Sequence, residues 1–190
     1  MRSFTLDTNC LIAMDEGRPE AAAIRSLADA HAAGTAAVAV VAISASERQT
    51  GGHYIDNFAQ FRGRMAALGL AHLDILQPIM YWDITFWDYS LWSDHAMQAL
   101  EQQIHEVLFP NAEFLWQDYC RAHALDPSST PTGRWRNRKC DVLAIWSHIH
   151  GNRDVFVSSD GNFHIAAKKA ALVALGARHI EYPDDAVSLL

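Results

Sequence analysis

Four carboxylates stand where the sequence reads as a strand end or a helix start: Asp7, Glu47, Asp141 and Asp160. Hard divalent cations such as Mg²⁺ or Mn²⁺ take oxygen ligands in octahedral geometry and keep several waters, so a shallow ring of carboxylates suits them better than His or Cys. A metal in such a ring lowers the pKa of water and stabilises charge building on a phosphodiester, and two ions about 3.5–4 Å apart clamp both the attacking and the leaving oxygen. Direct ligation is expected from Asp7 and Asp160, with Glu47 and Asp141 binding a second ion or holding waters. Ten histidines offer a rival set. Their spacing contains no HExxH pattern, and only His164 falls near the acids.

The elements around the acids explain how they could meet. Phe4-Thr5-Leu6 is an apolar run that stops at Asp7, followed by small polar residues able to turn the chain. Val155-Phe156-Val157 likewise leads through Ser158-Ser159 to Asp160. Residues 36–43 are continuously apolar and Val-rich, as in a parallel strand covered on both faces, and Ser44 or Ser46 can cap a helix opening near Glu47. The spacing predicts a helix over 140–149 with Asp141 in its first turn, where favourable placement in the helix dipole is a competing reason for an acid.

Further helices are predicted from Pro19 to His31, over 55–68 and over 163–175, with a short strand over 73–79 and a final edge strand over 178–182. Strands alternating with helices give an α/β fold with a mainly parallel sheet. In such sheets functional groups gather at the carboxyl ends of strands, so acids distant in sequence converge on one crevice.

With 190 residues, 50% of them hydrophobic, the chain can bury a full core as one domain. The region from about 80 to 138 reads as an accessory helical insertion: it is rich in aromatics, has helical spans at 95–106 and 111–124, and ends in a turn-forming stretch over 126–133 expected to be a mobile loop. Net charge is −7, which argues against adhesion to nucleic acid over the whole surface. A local contact remains open: Arg134, Trp135, Arg136, Arg138 and Lys139 place four cations and an indole together, able to pair with phosphate and stack a base. Cys10, Cys120 and Cys140 lack CxxC spacing and read as reduced core residues. No signal-peptide pattern and no bilayer-length apolar run is present, so a cytoplasmic location and no membrane partner are expected.

Leu6-Asp7-Thr8-Asn9, Glu47 after the second strand, Asp141 on a helix, and Phe156-Val157-Ser158-Ser159-Asp160-Gly161-Asn162-Phe163 together resemble the landmarks of the PIN domain family. The likeness covers roughly residues 1–70 and 138–190. It implies a Rossmann-like three-layer sandwich and a Mg²⁺- or Mn²⁺-dependent endoribonuclease, commonly the toxin of a toxin–antitoxin pair. By position it makes Asp7, Glu47, Asp141 and Asp160 the metal-binding acids, supported by Thr8, Asn9 and Ser158. Ser158 stands where Thr is usual. Asn162 stands where many relatives carry another acid, which removes a charge from a second metal position. RNA as substrate, an antitoxin protein and a homodimer are the partners implied.

Two other classes stay open. A PIN-fold module that binds RNA or protein with little or no turnover would act through the aromatic insertion and basic segment, and Asn162 favours it. An acyl-phosphate site on Asp7 needs a second Asp beside the nucleophile, where this chain has Thr8 and Asn9.

Overall fold

A computed structural model describes residues 1–45 and 57–190. Among the described residues five strands form one all-parallel sheet: β1 (Arg2–Leu6), β2 (Ala36–Val41), β3 (Asp74–Leu76), β4 (Val155–Val157) and β5 (His179–Glu181). The spatial order is β3-β2-β1-β4-β5. The chain winds outward from β1 through β2 to β3, then returns to the other side of β1 for β4 and β5. That reversal opens a crevice at the carboxyl ends of β1 and β4.

Alternation along the strands assigns the two faces of the sheet. Phe4, Leu6, Val38, Val40, Val155 and Val157 pack against α1 (Thr8–Glu16), α2 (Ala21–Ala32), α3 (Phe58–Ala67) and α9 (Pro183–Val187). Val41, Phe156 and Ile180 point the other way, into α4 (His95–Leu108), α5 (Trp116–His123), α6 (Gly133–His150) and α8 (Ala166–Leu172). Period-2 burial on both faces is what a central parallel sheet between two helical layers requires. The expected α/β three-layer sandwich is therefore the observed architecture, with β5 at an edge as the sequence predicted. Cys10, Cys120 and Cys140 are buried free thiols.

The amino end of the sheet is tied differently from the carboxyl end. Asp154 accepts from the Ser3 N–H at 2.9 Å and the Ser3 hydroxyl at 2.8 Å, and Arg153 donates to the carbonyls of Phe4 and Ala37. These bonds lock strand ends together.

Several boundaries differ from the sequence reading. The polar residues after Asp7 do not turn the chain but start α1 at once, and the Asp7 side chain caps it through the Thr8 N–H. The helix carrying Asp141 begins at Gly133 rather than Cys140, so Asp141 lies two turns inside α6. Its placement is thus not explained by the helix dipole, whose effect is confined to the terminal turn. The expected helix over 163–175 is broken at Ile165 into α7 (Gly161–His164) and α8, followed by a π turn over Val173–Ala177 in which Gly176 takes φ +111°. Ser46, Glu47, His53 and the start of the helix expected over 55–68 lie outside the described residues.

The insertion carries α4 and α5, and its terminal stretch is held by its own side chains. Asp126 accepts from the Ser128 N–H and hydroxyl, and the Trp116 indole N–H donates to the Ser129 carbonyl at 3.0 Å.

Candidate functional site

The register Leu6↔Val157 places the residues that follow these two strands side by side. Asp7 leaves β1 with its N–H bonded to the Val157 carbonyl at 2.9 Å. Its carboxylate is then fixed from three directions. Oδ1 accepts from the Thr8 N–H at 2.8 Å, while Oδ2 accepts from the Ser158 hydroxyl at 2.8 Å and the Asn9 amide at 2.9 Å. Asn9 spans the two strand ends, because its Oδ1 accepts from the Ser159 N–H at 3.0 Å. Ser158 Oγ in turn accepts from the Asp160 N–H at 3.1 Å. Thr8, Asn9 and Ser158, the three supporting positions marked by the family resemblance, all serve this one carboxylate directly or through the chain that carries Asp160.

Burial, with a smaller push from the neighbouring Asp160 carboxylate, raises the Asp7 carboxyl to about 6 against the lowering by Ser158, Thr8 and Asn9. A buried acid facing a second acid is an arrangement that a bound cation relieves. Asp160 caps α7 by accepting from the Asn162 N–H at 2.9 Å. Asp7, Asp141 and Asp160 line a single open crevice of about 530 Å³, together with Asn9, Arg18 and Asn137.

The donor set is made of carboxylate and carboxamide oxygens, which fits Mg²⁺ or Mn²⁺ and not a thiolate-seeking metal. Asp7 and Asp160 are the pair that would hold such an ion, with Asp141 across the crevice. Among the described residues no three His, Cys, Asp or Glu side chains lie close enough together to form a complete metal group. The acids share a crevice without closing on one point, and Glu47 lies outside the described residues.

Asn162 does not face the crevice. Its Oδ1 accepts from Lys168 Nζ at 2.5 Å, and the same ammonium reaches the Leu108 carbonyl. The side chain that stands where many relatives carry another acid is therefore engaged by a lysine and not by the crevice acids. His164 also has a structural role: its Nε2 bonds the Ser158 carbonyl at 2.8 Å and its ring stacks on Tyr182 at 3.6 Å.

The basic segment is helical and runs directly into Asp141. Residues 133–139 form the first two turns of α6, and three of the five proposed RNA contacts are buried. Trp135 is 2% exposed and donates its indole N–H to the Glu113 carbonyl, so it has no free face for a base. Arg136 bonds the carbonyls of Asp83 and Pro131. Lys139 is 1% exposed, 2.7 Å from Glu101 Oε1, with its ammonium 4.0 Å from the Phe114 ring centre and 4.5 Å from that of Tyr81. The physical reason is amphipathic: a helix puts Trp135, Lys139 and Val142 on one face, and that face is covered by the insertion's aromatics. Arg134 remains exposed, and Arg138 is half-buried over Phe109.

Two crevice residues were not singled out as contacts in the sequence. Asn137 lies four residues before Asp141 on the same face of α6, a spacing that could have been read once the helix start was known. Arg18 reaches the crevice from the turn after α1 while its guanidinium pairs with Glu16 at 2.6 Å, and no local pattern announces it.

The chain matches no known protein-family model, no curated protein and no solved structure. Among the described residues no helix is long and apolar enough to cross a membrane.

Proposed function

We propose that this chain is a divalent-metal-dependent endoribonuclease with a PIN-like active site, acting in the cytoplasm as the toxin of a toxin–antitoxin pair. The observation that carries the reading is the pairing of Asp7 with Asp160 at the carboxyl ends of adjacent parallel strands, in one crevice with Asp141. When bound, Mg²⁺ or Mn²⁺ supplies Lewis-acid activation of water and neutralises charge on the phosphodiester. The chain's own residues orient and select. Ser158, Asn9 and the Thr8 N–H hold the Asp7 carboxylate in one rotamer. Asn137 offers an amide to a sugar or phosphate oxygen, and Arg18 offers a guanidinium that can trade Glu16 for a phosphate. An antitoxin covering the crevice, and a homodimer, complete the proposed assembly.

The test is cleavage of a panel of structured and unstructured RNAs by the purified protein with Mn²⁺, with Mg²⁺ and with chelator, beside Asp7→Asn. Metal-dependent cuts absent from the variant are expected. Cleavage that survives both the chelator and the substitution would overturn the reading.

A second reading, a PIN-fold module that binds RNA or protein with little or no turnover, is favoured by two observations: Asn162 is engaged by Lys168, and no complete three-residue metal group occurs among the described residues. Tight RNA binding without cleavage under either metal would select it.

A further inference from the structure

Within the insertion, Trp82-Asp83, Trp87-Asp88 and Trp92-Ser93-Asp94 repeat an indole followed by an acid at five-residue spacing. Trp82, Trp87 and Trp92 are 70%, 63% and 72% exposed. Their rings meet in a row, Trp82 to Trp87 at 5.3 Å and Trp87 to Trp92 at 5.4 Å, the second pair edge-to-face. The other three tryptophans of the chain, Trp116, Trp135 and Trp146, are buried. Three large apolar rings held together in water are costly unless something covers them.

The loop that displays them is built to hold its shape. The Leu91 N–H bonds the Pro78 carbonyl and the Met80 N–H bonds the Leu91 carbonyl, both at 2.9 Å, which closes the segment on itself. Ile79 and Ile84 are buried beneath it, and the Tyr89 hydroxyl donates to the Ile75 carbonyl at 3.0 Å. Trp82 is also a wall of a cavity of about 570 Å³ that contains Ser93, Gln98 and Glu101. The tryptophan row thus has a pocket at one end.

Charge decides among occupants. Residues 81–94 contain three aspartates and no lysine or arginine. Asp83, Asp88 and Asp94 are exposed and enter no ion pair among the described residues. Arg136 donates to the Asp83 carbonyl and is buried, so its guanidinium lies beneath the segment and not on its surface. Nucleic-acid phosphates would be repelled. A second copy of this surface would set aspartates against aspartates across a two-fold axis. A guanidinium satisfies both features: it stacks on an indole face and pairs with a neighbouring carboxylate.

We propose that the Trp82–Trp87–Trp92 row with its aspartates is a docking surface for an arginine-bearing segment of a partner protein, with the adjoining cavity taking one of the partner's side chains. This proposal does not rest on the nuclease reading.

The test uses the full chain and a short fluorescent peptide of alternating Arg and Gly, followed by anisotropy. The Lys and Glu versions of the peptide and a labelled oligothymidylate are run beside it. Expected are binding of the Arg peptide, weaker binding of the Lys peptide, and roughly tenfold loss in Trp87→Ala, which leaves net charge unchanged. Asp88→Asn also weakens binding, whereas Asp184→Asn, an exposed acid on α9, does not. Trp87→Phe retains part of the binding, which separates a lost ring from a disturbed loop, and thermal melts verify folding of each variant. Equal binding by Trp87→Ala and the parent would reduce the effect to general charge attraction and overturn the proposal. Preference for the oligothymidylate, or a Trp87-dependent dimer in sedimentation, would overturn it in favour of nucleic acid or a second copy.

Discussion

The Ser158 hydroxyl donates to Asp7 Oδ2 at 2.8 Å across two strands separated by 151 positions in sequence. The same oxygen of Ser158 accepts from the Asp160 N–H, so one hydroxyl sets the position of the first acid and of the backbone that carries the last. Hydrogen bonds to charged groups contribute about 1.5–3 kcal/mol, so Ser158→Ala is expected to lower RNA cleavage roughly tenfold or more, while Ser158→Thr retains most of it. Single-turnover cleavage in Mn²⁺, with thermal melts to verify folding, checks this. Equal rates for parent and Ser158→Ala would remove Ser158 from the site.

Metal binding is expected to appear as stabilisation. An ion that binds only the native state adds about 2.7 kcal/mol at a hundred times its dissociation constant. Asp7→Asn and Asp160→Asn should each shrink the rise in melting temperature with Mn²⁺ or Mg²⁺. Asp7→Asn removes a carboxylate that burial and Asp160 disfavour, so the metal-free variant should be at least as stable as the parent. A large loss of stability in chelator would instead make Asp7 a structural acid.

The strands and the acids at their ends were legible because both signals are local. Phe4-Thr5-Leu6 and Val155-Phe156-Val157 are apolar runs that stop at polar residues, and a parallel sheet brings such ends together whatever lies between. The start of α6 was not legible. Its first two turns are dominated by cations, and nothing nearby in sequence says that Lys139 is neutralised by Glu101 thirty-eight positions earlier. A basic run reads as solvated surface unless its partner is known. The departure at Asn162 was visible as a missing charge, but its direction depends on Lys168, six positions on and across the break at Ile165, which also donates to the Leu108 carbonyl. Glu47, which the sequence led us to expect beside the other acids, lies outside the described residues.

Lys139 and Glu101 give a stability prediction that separates them from RNA binding. Burial lowers the Lys139 pKa and Glu101 opposes that shift, as in an ion pair whose members depend on each other. Removing one partner of a buried pair costs about 3–5 kcal/mol, because it leaves the other charge uncompensated. Lys139→Met should therefore destabilise strongly in urea titrations, and adding Glu101→Leu should recover most of the loss. Arg134→Ala, at an exposed position, should stay within about 0.5 kcal/mol of the parent. If Lys139→Met left stability unchanged and lowered only RNA affinity, Lys139 would belong to an RNA surface after all.

His148 supplies a pH dependence with a definite sign. Its Nε2–H donates to the Ala177 carbonyl at 3.0 Å, which leaves Nδ1 to accept from the Thr5 hydroxyl at 3.0 Å, so the buried ring is held neutral. Burial lowers its pKa to about 4 from 6.5; Arg153 and Arg178 add to the lowering, while the Ala177 bond and Asp154 oppose it. Between those values the unfolded chain binds a proton that the native state does not. The contribution of His148 is complete above pH 6.5 and declines as pH falls toward 4, by about 3 kcal/mol in all. Asp7 acts in the opposite direction over an overlapping window: its raised pKa makes the native state gain relative stability as pH falls from about 6 to 3.8. The contrast must therefore be taken against His148→Gln, whose amide can donate to Ala177 and accept from Thr5 without titrating. Denaturant unfolding at successive pH values should show the parent losing stability relative to His148→Gln from pH 6.5 downward, and a difference independent of pH would show that His148 is not buried neutral.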